Sequence, residues 1–355
     1  METVEETGVV TRDSDTARAT WPPVSVVMPV LNEERFLRDS VNKVLAQDYP
    51  GPLEIVIAVG PSTDRTHEIA QEIVTADPRV RLIDNPRGIT PSGLNAAIRQ
   101  AQHGIVMRVD GHGILSPGYI KRAVEVLEET GADNVGGVMA AEGLTPFEQA
   151  VARAMTSALG IGGARFHLGG GAGPVDSVYL GVFRRSTLDK LGGYDETFVR
   201  AQDWELNYRI RRSGGTVWFS PDLRVTYRPR PNVRALARQF YLTGRWRRVV
   251  TRTHRGTSSL RYLAAPTASL AVLVGTLLGL VGAVTRMSLL LLGFVLPVGY
   301  ALAIVLGSLV ESRGLNWRAR LWLPVVIATM HLTWGWGFLT SPRSLGEHER
   351  PDETP

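Results

Sequence analysis

The sequence predicts an α/β domain, a Rossmann-like mixed sheet with helices on both faces, followed by a C-terminal α-helical transmembrane region. Three observations carry this. Strand-length apolar runs alternate with helix-length periodic segments from about residue 24 onward, as in a sheet whose crossovers are helical. Three long uncharged runs then follow, Tyr262–Thr285, Ser288–Val310 and Leu321–Thr340, each near or above the ~20 residues a helix needs to cross a bilayer. The near-zero mean hydropathy of the chain averages a water-soluble part with a greasy one.

Within the 355 residues, segment 1–20 is polar, acid-leaning and without an apolar core, so it reads as a disordered tail rather than a signal peptide. Residues 21–230 form the α/β domain, 231–258 a basic amphipathic interfacial segment, 259–341 three transmembrane helices and 342–355 a polar tail.

The elements follow in order. Val24–Pro29 is a short buried strand, and a helix runs from the polar Asn32-Glu33-Glu34 to about Ala46. Leu53–Val59 is a second strand; Gly60–Asp64 turns into a helix from Thr66 to about Thr75. Arg79–Ile83 is a third strand, Ser92–Gln102 a helix and Ile105–Asp110 a fourth strand. Ser116-Pro117 places a cap and a first-turn proline before the next helix. Thr145-Pro146-Phe147-Glu148 is a capping box, and Gly169–Gly173 a flexible loop. Val178–Phe183 is a strand, Ala201–Arg212 a helix stopped by Gly214-Gly215, and Thr216–Phe219 and Arg224–Tyr227 two further strands. Val233–Arg252 reads as an amphipathic helix along a bilayer. Three βα turns, at Pro29–Glu34, Gly60–Asp64 and Asp110–Gly113, fall on one sheet edge, where open α/β folds bind ligands.

Charge is distributed unevenly. The net balance is +5, yet Leu223 to Val310 contains no Asp or Glu while Arg224–Arg261 carries eleven arginines. That belt suits anionic lipid headgroups or a lipid diphosphate. Its aromatics are not interleaved for base stacking, so nucleic acid is the weaker option and is not expected as a partner. Arginines before the first span and at Arg313, Arg318 and Arg320 put the globular part in the cytoplasm and the tail after Thr340 outside, at a multi-pass plasma-membrane protein. With no cysteine, disulfides and thiolate metal sites are excluded.

The stretch Ile105–Gly113 (IVMRVDGHG) is the most informative. A strand running into Asp110 and His112 presents one hard oxygen ligand and one imidazole, a pair that can hold a divalent cation against a diphosphate. Taken alone it is also a strand ending in a polar turn. The tip Pro29-Val30-Leu31-Asn32-Glu33 can bond a nucleobase and ribose, or be an ordinary βα turn; Ser62-Thr63-Asp64 is a normal N-cap cluster, and Gly93-Leu94-Asn95 is equally ambiguous. No GxxxxGK loop occurs, and Gly169–Gly173 fails as a dinucleotide fingerprint. On the helix Gln202–Arg212, Asp203 shares a face with Leu206, Asn207 and Ile210, so burial should raise its pKa and suit it to general-base work. Glu205 points elsewhere and reads as a helix-dipole partner.

Together VSVVMPVLNEE, GPSTDRT, GLNAAIRQA, RVDGHG, YLGVFRRSTLDKLGGYDETF and AQDWELNYRIRRSGG, over about Ser25–Arg248, resemble the family 2 inverting glycosyltransferases with a GT-A fold. Within these the chain looks most like the membrane-anchored enzymes of succinoglycan-type polysaccharide assembly. The resemblance implies a donor-nucleotide site at Pro29, Leu31, Glu33, Ser62, Asp64, Gly93, Asn95 and Asp110, and a divalent cation, Mn2+ or Mg2+, at Asp110 and His112. It implies Asp203 as catalytic base, and an acceptor or diphosphate side at Gly181, Gln202, Arg245 and Trp246. Departures stand out. Val59-Gly60 occupy the place of an acidic residue, His112 replaces the second carboxylate of an Asp-x-Asp signature and so favours manganese, and Gln202 replaces a glutamate. Gln239 precedes Arg245-Trp246 at the wrong spacing for the Gln-x-x-Arg-Trp motif of processive synthases.

The expected function is transfer of one sugar, with inversion, from a nucleotide-sugar donor to a polyprenyl-diphosphate-linked acceptor at the cytoplasmic membrane face, with membrane lipids as partners. The alternatives are a polyprenyl-phosphate sugar transferase, a processive synthase, or a catalytically degenerate membrane binding protein.

Overall fold

The structure is a computed structural model and describes residues 21–254, 256–257 and 262–346. The tail assigned to 1–20, residues 347–355 and the belt arginines Arg255 and Arg261 lie outside the described residues.

Strands β1 (Val24–Val30), β2 (Leu53–Val59) and β3 (Val80–Asp84) alternate with helices α1 (Leu37–Leu45), α2 (Thr66–Ala76) and α3 (Thr90–Gln100). Next come β4 (Ile105–Arg108), β5 (Ile114–Leu115), α4 (Tyr119–Thr130) and β6 (Asn134–Ala141). After α5 (Pro146–Met155) lie two single-turn helices, α6 (Ala158–Ile161) and α7 (Arg165–Leu168), then β7 (Gly173–Pro174) and β8 (Tyr179–Arg184). Helices α8 (Arg185–Leu191) and α9 (Gln202–Arg212) lead to the long strand β9 (Val217–Tyr227). The sheet order is β3-β2-β1-β4-β8-β6-β9-β5, with β7 also on β9. The β3-β2-β1-β4 half is parallel, and β8 runs antiparallel to both β4 and β6. Alternate side chains of β1 divide between two cores, Val24, Val26, Met28 and Val30 on one face and Val27 on the other. Such two-sided burial is what an uninterrupted apolar run in a parallel sheet requires.

Several elements differ from the sequence expectation. Strand β6, NVGGVMAA, was not foreseen, because Gly136-Gly137 lowers strand propensity. The structure shows why glycine stands there: a Cβ on Gly137 would lie 1.9 Å from the Leu223 carbonyl oxygen. The two late strands are one, β9, continuous through Pro221 where its register to β6 slips. Helix α4 starts two residues after the expected proline, behind Gly118 in the left-handed region. The Thr145 capping box is formed as expected.

Beyond the sheet lie α10 (Val233–Thr253), α11 (Ala264–Thr285), α12 (Ser288–Leu291), α13 (Val295–Glu311) and α14 (Trp317–Leu339). Among the described residues two segments are long and apolar enough to cross a membrane, Ala264–Thr285 and Ser288–Glu311. They pack as a hairpin through Gly275, Gly279 and Gly282 against residues 290–297, the small-residue contact that lets apolar helices approach closely.

The third run and the interfacial segment behave differently. Helix α14 buries Leu323, Val326, Ile327 and Met330 in a core shared with Phe147, Val151, Leu236 and Phe240. Both its ends are tied to the globular body. At its start Asn316 donates to Gln149 (2.5 Å) and Arg153 to the Arg313 carbonyl (2.9 Å). At its end Arg252 donates to the carbonyls of Ser341 (2.7 Å) and Pro342 (2.8 Å). A helix held at both ends by one body runs along it, so the expectation of a third span with Thr340 onward on the far side is corrected. The apolar face of α10 correspondingly meets α14 and not lipid. The two backbones touch at glycines, where Cβ atoms on Gly244 and Gly337 would lie 2.0 Å from the carbonyl oxygens of Trp334 and Tyr241. Gly337→Ala is therefore expected to force the helices apart and cost about 1–3 kcal/mol, read as a lower melting temperature of the full chain in detergent. An unchanged melting curve would refute the contact.

Candidate functional site

The parallel register of β1, β2 and β4 brings their C-terminal turns together, as the sequence predicts. The first two turns are fastened by side-chain-to-backbone hydrogen bonds. Asn32, at φ 56°, accepts from the Thr63 N–H (2.8 Å) and donates its own N–H to Ser62 Oγ (3.1 Å). The Glu33 N–H donates to Thr66 Oγ1 (2.6 Å) and the Glu34 N–H to Asp64 Oδ2 (3.2 Å). Asp64 Oδ1 also accepts from the Thr66 N–H (3.0 Å) and hydroxyl (2.5 Å). Desolvation would raise the Asp64 pKa, but these donors outweigh it and hold the carboxyl below its usual range. Ser62 and Asp64 thus brace the rim, while Leu31 is exposed at its tip.

The third turn docks on the first. Buried Ser40 of α1 donates to the Gly113 carbonyl (2.8 Å). A Cβ on Gly111 would meet Val30 Cγ1 at 2.9 Å and Glu33 Cγ at 3.0 Å, so only glycine lets the turn come this close. The approach places His112 Nδ1 2.7 Å from Glu33 Oε1. That carboxylate, against the opposing effect of burial, raises the imidazole's pKa.

Arg108 organises the rest. It is 5 % exposed in the strand IVMR, and its Nε donates to Asp110 Oδ1 at 2.9 Å while its Nη1 donates to Asp203 Oδ1. One guanidinium thus joins the β4 turn to the start of α9. Burial pushes both carboxyls up, but the outcomes diverge: Arg108 and His112 bring Asp110 below its ordinary value, whereas burial and the nearby Asp110 charge leave Asp203 above its own. Two acids in one site with pKa values driven apart is the arrangement acid–base chemistry uses. Half-buried Tyr179 and buried Tyr194 complete the wall; desolvation, together with the charges of Asp110 and Asp203, raises both phenols. Leu180 beside Tyr179 carries φ 44° where the β6–β8 register shifts, a strained backbone of the kind that functional sites retain. Arg108, Tyr179 and Tyr194 were not singled out from the sequence. The signal for Arg108 was available: a charge inside an apolar buried strand demands partners.

Other expected site residues stand elsewhere. Asn95 spends its amide on the Tyr194 carbonyl (2.8 Å) and Glu196 (2.9 Å) and accepts from the Tyr194 N–H (2.8 Å), so it braces the loop before α9. Gly93 lets α3 approach Pro29, whose Cβ would lie 3.2 Å from an added Cβ. Gly181 is interior to β8, its missing side chain replaced by Asn134 and Phe183, so it packs the sheet and does not face an acceptor. Trp246 is buried on Phe198, Val249 and Val250 and Arg245 lies over the Tyr241 ring; both belong to the α10 packing surface. Gln202 opens α9 after Ala201, which sits at φ 63°. Glu205 is no exposed dipole partner: it is buried, chelated by Arg209 (2.7–2.9 Å) and 3.4 Å from His254 at the end of α10.

Asp110 and His112 offer a cation one oxygen and one nitrogen ligand. His112 gives Nδ1 to a carboxylate and keeps Nε2, the way metal-bound imidazoles are oriented. Among the described residues no three acid or imidazole side chains converge into a complete cage, so further ligands would come from substrate oxygens and water.

The glycosyl transferase family 2 profile matches residues 25–192. The succinoglycan biosynthesis protein ExoA of Rhizobium meliloti (strain 1021) is 33% identical over 316 residues, spanning 88% of this chain and 93% of that protein. A Methanococcus voltae protein, dolichyl N-acetyl-alpha-D-glucosaminyl phosphate 3-beta-D-2,3-diacetamido-2,3-dideoxy-beta-D-glucuronosyltransferase, is 22% identical over 232 residues, 61% of this chain and 70% of its own. Among solved structures, the mannosyltransferase PcManGT from Pyrobaculum calidifontis, in complex with GDP-Man and Mn2+, superposes with a TM-score of 0.57 at 19% identity over 91% of this chain and 88% of that one. The mixed sheet, its switch-point cluster and these likenesses coincide: the chain is a GT-A-fold glycosyltransferase and belongs to glycosyltransferase family 2.

Proposed function

We propose that this glycosyltransferase is membrane-bound and inverting, moving one sugar from a nucleotide-sugar donor to a lipid-linked saccharide at the cytoplasmic face. The observation that carries the mechanism is the Arg108 bridge, which holds Asp203, the raised acid, a guanidinium's width from Asp110, the depressed one. Asp203 takes the proton of the acceptor hydroxyl as it attacks the anomeric carbon. The braced rim of Asn32, Ser62 and Asp64 flanks the nucleoside, and Tyr179 and Tyr194 wall an acid pair that stays open to an acceptor, the Asp203 side chain being 32 % exposed. A divalent cation, Mn2+ favoured by the imidazole, would be held by Asp110 and His112 and would supply charge neutralisation on the departing diphosphate. The α11–α13 hairpin supports insertion, both its ends returning to the domain, and Arg234 and Arg248, exposed on α10, are the arginines offered to anionic headgroups.

The test is transfer by the full chain in detergent or vesicles with a panel of sugar nucleotides and Mn2+, using membrane lipid extracts as acceptor. Product requiring both donor and lipid supports the reading; no transfer and no donor hydrolysis with any donor, or extraction of the chain from membranes by alkaline carbonate, would overturn it. A further expectation concerns Glu33. Its carboxylate raises the His112 pKa, so protons compete with metal below that raised value and metal affinity climbs as pH rises through it. Glu33→Gln should move that climb to lower pH and weaken Mn2+ activation by roughly 10–100-fold, seen in Mn2+ titrations at several pH values. An unmoved pH profile would remove Glu33 from the site.

A further inference from the structure

We propose that Arg200, Arg230 and Arg238, with Arg230 held by Gln239, form an anion subsite beside the Asp110–His112 turn that takes a substrate diphosphate. The inference deepens the transferase reading and rests on it only for the identity of the ligand. The three come from separate segments: Arg200 lies two residues before α9, Arg230 just after β9, and Arg238 on α10. Gln239 fixes one of them, Arg230: its Nε2 donates to the hydroxyl of buried Tyr227 (3.0 Å) while its Oε1 accepts from Arg230 Nε (3.0 Å). Gln239 thus has a local job that its spacing to Arg245-Trp246 did not suggest.

All three guanidinium-bearing residues are exposed, yet they are close enough to repel. Arg200, in addition to its desolvation, is held below the usual arginine range by Arg230 and Arg238. The antiparallel pairing of β5 with β9, Ile114 opposite Thr226, brings the chain that leaves β9 back to the cation turn and sets Arg230 at one edge; Arg200, three residues before Asp203, sets the other. Neighbouring arginines have acids, as in Arg228–Glu142 (3.4 Å), Arg87–Glu196 (2.5 Å) and Arg209–Glu205 (2.7 Å). Among the described residues no ion pair is made by Arg200, Arg230 or Arg238, and residues 223–310 contain no carboxylate. Like charges held together without a counter-ion are unfavourable until an anion arrives. Guanidinium forks match phosphate oxygens bidentately, and several forks around one opening suit two linked phosphates better than one carboxylate. The diphosphate could be that of the donor or of a diphosphate-linked acceptor.

The probe is inorganic pyrophosphate, titrated calorimetrically into the full chain in detergent with EDTA, so that no cation contributes. Arg200→Gln and Arg238→Gln are each expected to weaken binding about tenfold, with melting temperatures retained because both side chains are exposed. Gln239→Leu should also weaken it without changing net charge. Arg99→Gln, an exposed charge on α3, should leave it unchanged. No binding to the parent chain, or an equal loss in Arg99→Gln, overturns the subsite. In transfer assays, a raised donor KM in Arg238→Gln assigns it to the donor diphosphate and a raised acceptor KM to a lipid diphosphate; neither overturns its substrate role. Arginine-dependent pyrophosphate binding in a chain that transfers no sugar would retain the subsite and sink the transferase mechanism instead.

Discussion

Asp203→Asn is expected to lower kcat by about 10²–10⁴-fold, the range a positioned general base contributes, while donor affinity stays near the parent value. Asparagine keeps an oxygen that accepts from Arg108, so the start of α9 stays where Arg108 holds it and only the basicity is lost. The sign of the pH dependence follows from the raised pKa of Asp203. The base works when deprotonated, so kcat in the parent chain should fall as pH drops through a value above that of an ordinary aspartate. That acid limb should vanish from the residual activity of the variant. A kcat loss below about tenfold, or an equal loss of donor affinity measured by equilibrium binding, would take the base role from Asp203.

Arg108→Leu is expected to damage fold and function together. Leucine suits the apolar strand, but its substitution leaves Asp110 and Asp203 part-buried and facing one another without a cation. Removing one partner of a buried ion pair costs about 3–5 kcal/mol, which should appear as a lower denaturation midpoint near neutral pH. Both carboxyls should then titrate above their unfolded values, so they bind protons more tightly folded than unfolded. Stability lost at neutral pH should therefore return as pH falls through those raised values, the reverse of ordinary acid denaturation. Arg108→Lys should recover part of the stability, since one ammonium cannot span both acids as the fork does. A variant with parental stability and no such pH trend would contradict the bridge.

Much of the site was legible because strand ends announce themselves. RVDGHG and VVMPVLNEE each run from an apolar strand into polar residues, and parallel register makes such ends neighbours. Asp203 was legible from helical periodicity, since i, i+3, i+4 spacing aligned it with Leu206, Asn207 and Ile210. Arg245, Trp246 and Gly181 were misplaced for the opposite reason. A tryptophan or glycine in an arginine-rich or strand segment carries no mark of which neighbour it meets. Glu205 shows the same limit, because its burial depends on Arg209 and on His254 of a helix some fifty residues away.

The alternating α/β body, the converging turns and the apolar hairpin could be read along the chain, because local periodicity and strand-end polarity are properties of contiguous residues; the burial of the α9 acids could not, since Asp203 is part-exposed and Glu205 is the buried one. Which charges answer one another emerges from the folded chain alone: Arg108 spans Asp110 and Asp203, Glu33 turns His112, and α14 lies along the domain instead of leaving it. Pairing depends on distance in space, and the Coulomb and packing energies that separate these outcomes act between residues scores of positions apart.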